Sequence, residues 1–125
     1  MTRPEDLKAK AERMQAYLES KIPSEPQDLI DRVNNLSIMI AQTSSMLADA
    51  KYYQDTVVNG AIMEALQKAY EEKLSASTIN KFVTTAAKEH NYLVNWIDRL
   101  NSAAVHQLDG LRSVISYKKA EMQIL

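Results

Sequence analysis

STINKFVTTAAKEHNYLVNWIDRLNSAAVHQLDGLRSVISYKKAEM, running from Ser77 to Met122 without a proline, is the stretch whose reading decides the fold. Phe82, Ala86, Leu93, Ile97, Leu100, Ala104, Leu108, Leu111, Ile115 and Met122 follow one another at steps of three, four or seven residues. That spacing gathers them on one stripe of an α-helix. Unbroken, such a helix is about 70 Å long at 1.5 Å per residue, with Gly110 as its weakest point. Ser75, Ser77 and Thr78 precede it and can cap its first backbone donors.

Working outward, the segment before it carries a second stripe: Leu29, Val33, Leu36, Ile40, Leu47, Ala50, Val57 and Ala61, with Thr43 and Gln54 at the two polar positions of the seam. The register holds for more than four heptads. Thr43 and Gln54 either fix the register and partner number of an assembly or face solvent where the helix leaves the bundle. Met39, Met46 and Tyr53 widen the apolar face on one flank, as expected in a bundle. The pair Asn59-Gly60 tolerates positive φ and marks a possible break, so the long helix is predicted over about residues 25–73 with an interruption there.

The chain opens with TRPE, where Thr2 and Glu5 form a capping box around Pro4. A short helix over about 3–21 follows, with Leu7, Ala11, Met14 and Leu18 as its stripe. Pro23-Ser24-Glu25-Pro26 separates it from the next helix, and Ser24 with Gln27 repeats the capping-box pattern. The expected fold is all-α: residues 1–125 as a single helical domain, an elongated hairpin or bundle of two long helices (the last over about 77–122) plus a shorter N-terminal one. Two long helices leave part of their stripes uncovered in a compact monomer, so assembly as a homo-oligomer is expected.

Composition narrows the function. Fifteen basic residues stand against sixteen acidic ones, which gives the whole chain no electrostatic pull toward nucleic acid or an anionic membrane. The chain has no cysteine, which excludes a disulfide framework, a thiol nucleophile and Cys-type zinc sites, and is expected of a reducing, cytoplasmic setting. The N-terminal MTRPEDLKAKAERM has no apolar signal core, and no stretch has the ~18 apolar residues of a membrane span, so no membrane partner is expected. His90 and His106 lie sixteen residues apart, too far along one helix to share a metal. The carboxylates form no acid/base pair. No enzyme activity, metal or cofactor is predicted.

Charge is nevertheless uneven. Residues 81–125 carry six basic and four acidic side chains, whereas residues 1–80 carry nine against twelve. Lys51, Arg99, Arg112, Lys118 and Lys119 are the candidate phosphate contacts, with Tyr53, Trp96 and Tyr117 as candidate stacking rings. Cations that follow a backbone, interleaved with rings that stack on bases, are what single-strand binding uses. Each ring also has the simpler reading of a packed side chain with a polar tip at the surface.

The order of LADAKYYQD, LSAS, NYLVNW and GLRSVISYKK, over roughly residues 45–122, resembles the UvsY-type recombination mediators, small phage-encoded helical proteins. The resemblance implies an oligomer that binds single-stranded DNA and helps a recombinase displace single-strand-binding protein, in the host cytoplasm. The family's basic pair ahead of its Tyr-Tyr falls here on Leu47 and Asp49, which shifts strand contact toward Arg99, Arg112, Lys118 and Lys119. Two other classes compete with this accessory role. One is an oligomeric inhibitor or sponge for a host-defence protein or nucleotide, with His106, Arg112 and Lys118 forming discrete pockets. The other is a structural adaptor or assembly scaffold.

Overall fold

The structure, a computed structural model, describes the backbone of residues 1–124 and the side chains of residues 1–122. Three helices account for it: α1 (Pro4–Glu19), α2 (Pro26–Glu72) and α3 (Ala76–Ile124). The all-α expectation is met.

Both proline-led helices start one residue later than their capping boxes predict. A residue before proline is driven to extended backbone, and Arg3 (ψ 155°) and Glu25 (ψ 137°) adopt it. That conformation is the one an N-cap needs, so Pro4 and Pro26 take the first helical position and neither Thr2 nor Ser24 is the cap. Neither observed cap uses its side chain. Ser75 does cap α3 as predicted, its hydroxyl accepting from the Thr78 N–H at 3.2 Å.

α2 runs through Asn59-Gly60 without a break, and α3 runs through Gly110. Neither glycine has positive φ. The left-handed cap falls instead on Lys73 (φ 53°, ψ 51°), whose N–H bonds the Ala69 carbonyl at 2.8 Å. The reason is positional: twelve residues remain between Gly60 and the helix end at Glu72, and Ala61 and Ala65 are buried among them, so stopping at Gly60 would expose them.

Three side-chain pairs fix the hairpin. Arg32 meets Gln107 at 2.8 Å, Thr43 meets Asn101 at 2.7 Å, and Gln54 meets Asn91 at 2.7 Å. As the α2 number rises the α3 number falls, so the two long helices are antiparallel. Thr43 is fully buried. Thr43 and Gln54 therefore pair across the hairpin with α3 instead of facing solvent.

α1 lies in one groove of the hairpin, antiparallel to α2. Its start is tied by the Thr2 N–H to Asp49 and its end by Ser20 to Arg32. Leu7, Ala11 and Met14 are buried there with Met39 and Met46 of α2 and Leu93, Ile97, Leu100 and Ala104 of α3. Docking on the Met39 and Met46 flank moves the centre of the α2 seam: those two methionines are buried, while Val33, Ile40 and Leu47 are half-exposed. On α3 the predicted stripe departs at its two ends, where Ala87 is buried in place of Ala86 and Met122 is 74% exposed.

Arg32 escaped the apolar pattern because it is a cation in the seam, only 5% exposed. Its guanidinium stacks 4.1 Å from the Tyr17 ring centre and donates to the Tyr17 carbonyl, the Ser20 hydroxyl and the Gln107 amide oxygen at 2.8–3.0 Å. A positive charge at the negative end of a helix is favoured. Every buried side-chain polar atom among the described residues has a partner.

Candidate nucleic-acid interface

The predicted contact residues do not form one track. Successive residues of a helix turn by about 100°, so Arg112 and Lys119 lie about 140–160° around α3 from Arg99, Trp96 and Tyr117. Lys118 is half-buried, its ammonium donating to the Ser24 carbonyl at 3.0 Å. Lys51 is exposed, but on α2. Tyr53 packs against the core and meets Tyr52 edge-on, centroids 5.7 Å apart. Trp96 is half-buried, and its indole N–H donates to Gln15 of α1 at 3.0 Å.

The structure does bring Arg99 and Tyr117 together on a face that sequence reading left aside. Lys81, Lys88, Tyr92, Arg99, His106, Ser113 and Tyr117 are spaced by seven, four, seven, seven, seven and four residues. All are exposed. They form one stripe along the outer side of α3, spanning about 54 Å at 1.5 Å per residue. No position of the stripe is acidic, and Glu89 and Asp98 lie about 100° to either side of it. Exposed Ser77, Thr84, Asn95 and Ser102 border it with hydroxyl and amide groups.

The signal for Lys81 and Lys88 was present in the sequence as a heptad on the polar face. Scanning for the apolar period and for runs of charge passes over it.

Where the stripe crosses the start of α1, a cleft of about 490 Å³ opens between Pro4, Glu5 and Lys8 of α1 and Lys88, Glu89, His90, Tyr92, Leu93 and Trp96 of α3. Tyr92 and Trp96 stand 6.0 Å apart at 51° on its wall. A shallower groove of about 590 Å³ continues from them past Gln15, Glu19, Arg99 and Gln107. The site thus offers two rings side by side, with lysines on both helices and an arginine one heptad beyond Tyr92. It can hold a flat, π-rich group against the rings while the cations face an anionic chain.

Among the described residues no group of three His, Asp or Glu side chains is placed to hold a metal ion, and no helix is long and apolar enough to cross a membrane. One ion pair occurs among them, Glu64 with Lys68 at 3.6 Å on α2, so Lys81, Lys88 and Arg99 are not neutralised by a carboxylate. Compared with protein-family models, with curated proteins and with solved structures, the chain matches none of them.

Proposed function

We propose that this chain is a non-enzymatic accessory protein that binds single-stranded DNA along the outer face of α3, in the role that resemblance to the UvsY-type mediators implies: assisting a recombinase on a strand held by single-strand-binding protein. The observation that carries this reading is the stripe from Lys81 to Tyr117 with the Tyr92–Trp96 rings beside it. Cations recur along one face at helical spacing, so a single extended backbone can meet several of them without bending around the bundle. Rings at the same level give unpaired bases a surface that duplex DNA cannot use. A phage origin and action in the host cytoplasm belong to the same proposal.

The test is fluorescence anisotropy of a labelled oligonucleotide titrated with the full chain at several salt concentrations. Three phosphate contacts from Lys81, Lys88 and Arg99 give a salt slope of about −2 in log K against log salt, at about 0.7 per contact on a single strand. Arg99→Ala lowers the slope by about 0.7, and Tyr92→Ala weakens binding by about 1–3 kcal/mol through lost stacking. No binding at low salt, or an unchanged slope when all three cations are removed, refutes the reading.

The compact cleft at Lys8, Lys88, Tyr92 and Trp96 favours one second reading, capture of a free nucleotide. A mononucleotide that competes as well as the oligonucleotide on a molar basis would favour it.

A further inference from the structure

The cover given by α1 reaches Asp49 on α2 and Lys88 on α3, and beyond those points the two helices continue as an arm through residues 51–87. The buried side chains of the arm are Ala61, Ala65 and Ala87. Its outer α2 face carries Asp55, Ile62 and Leu66 at steps of seven and four residues, and Lys73 stands at the left-handed cap just past its end. All four are exposed, Ile62 to 39% and Leu66 to 55%. Tyr70, 90% exposed, and half-buried Val58 flank the same ridge.

We propose that this ridge is a self-complementary surface through which two copies of the chain pair antiparallel, arm against arm. The pattern reads the same in both directions about its midpoint, apart from the charge at its ends. An antiparallel twofold sets Ile62 on the partner's Leu66 and Val58 on the partner's Tyr70, and brings Asp55 to the partner's Lys73 at both ends. A parallel pairing of the same ridge sets Asp55 on Asp55 and Lys73 on Lys73. Self-matching of one patch about a twofold is what a symmetric dimer requires. The Glu64–Lys68 pair does not obstruct it, since Glu64 lies about 160° around α2 from Ile62.

Surface area supports a second copy as the occupant. The chain exposes 8732 Å² for 14.1 kDa, about 2,000 Å² more than the ~6,700 Å² of a compact monomer of that mass. A standard interface takes ~800 Å² from each partner, so the excess suffices for one. This inference stands on the arm alone and does not depend on whether α3 binds DNA.

Sedimentation velocity of the full chain over a micromolar concentration series is the test. The expected wild-type species has twice the 14.1 kDa chain mass, and Ile62→Glu with Leu66→Glu yields a monomer whose circular dichroism keeps its helix content. Asp55→Lys weakens the dimer by about tenfold, as two rim ion pairs become repulsive. Adding Lys73→Asp to Asp55→Lys restores it. A wild-type chain that stays at 14.1 kDa throughout, a double glutamate variant that still associates, or a charge swap that fails to restore pairing overturns the proposal.

Discussion

The body of the molecule, where α1 lies on the hairpin, and the arm beyond Lys51 are made from the same two helices and differ in what fills the space between them. In the body Leu7, Leu36 and Ile97 are fully buried, with Leu100 and Ala104 beside them. In the arm the buried side chains are alanines, while Ile62, Met63, Leu66 and Tyr70 face outward. A third helix turns a pair of stripes into a core, because two helices alone enclose one line of contact whereas three enclose a volume. Hydrophobic stabilisation follows the apolar area removed from water, at about 25 cal/mol per Å², so the body holds most of it.

That contrast can be broken by mutation, beginning with the largest effect. Ile97→Ala should destabilise by about 3 kcal/mol through lost transfer energy and the cavity left behind, whereas Ile62→Ala in the arm should change the protomer's stability by under about 0.5 kcal/mol. Urea denaturation of both variants, at concentrations low enough to keep the chain monomeric, checks this. Equal costs would mean that the arm has a core of its own.

Arg32→Ala should cost about 2 kcal/mol, since the Gln107 and Tyr17 acceptors lose a charged donor. It should also loosen α1, which Trp96 reports directly because its indole N–H is bonded to Gln15. A red shift in tryptophan emission is the expected sign, and an unchanged spectrum would show that Arg32 does not hold α1 in place.

Thr43→Val removes the hydroxyl that Asn101 donates to and leaves that amide the Ile40 carbonyl at 3.3 Å. A loss of about 1–2 kcal/mol is expected, measured against Asn101→Leu in a double-mutant cycle. Coupling near zero would remove Thr43 from the determinants of register.

The smallest effect has the opposite sign. Gly60 and Gly110 are exposed within continuous helix, and a Cβ at either position meets nothing within 4 Å. Gly60→Ala and Gly110→Ala should each stabilise by up to about 1 kcal/mol, seen as a rise in melting temperature. A drop for Gly60→Ala alone would reveal that the arm needs a bend there.

Much of the fold was legible because a helix stripe is a local pattern. Leu93, Ile97, Leu100, Ala104, Leu108 and Leu111 declare their face by spacing alone, and all are buried. The helix starts were misread by one residue at Pro4 and Pro26, since the capping box and the proline competed and the steric constraint of the ring prevailed. The candidate interface was less legible. Arg99 and Tyr117 were found by charge and ring type, but Lys81 and Lys88 were passed over. Sequence neighbours such as Lys118 and Lys119 look like one patch, yet adjacent helical residues point about 100° apart.

The sequence by itself determined three helices, their apolar stripes, the stop and start at Ser75, and a chain without thiol chemistry. Tertiary structure decided which flank of α2 is core, because that depends on where α1 docks, and α1 is held by side chains as distant in sequence as Trp96 and Gln107. It also decided that Arg32 is buried, since a cation enters a seam only where partners converge on it, here the Tyr17 ring and carbonyl and the Ser20 hydroxyl at the end of α1 and the Gln107 amide of α3. Periodicity acts within one helix and can be read there, whereas the choice of neighbour belongs to all three.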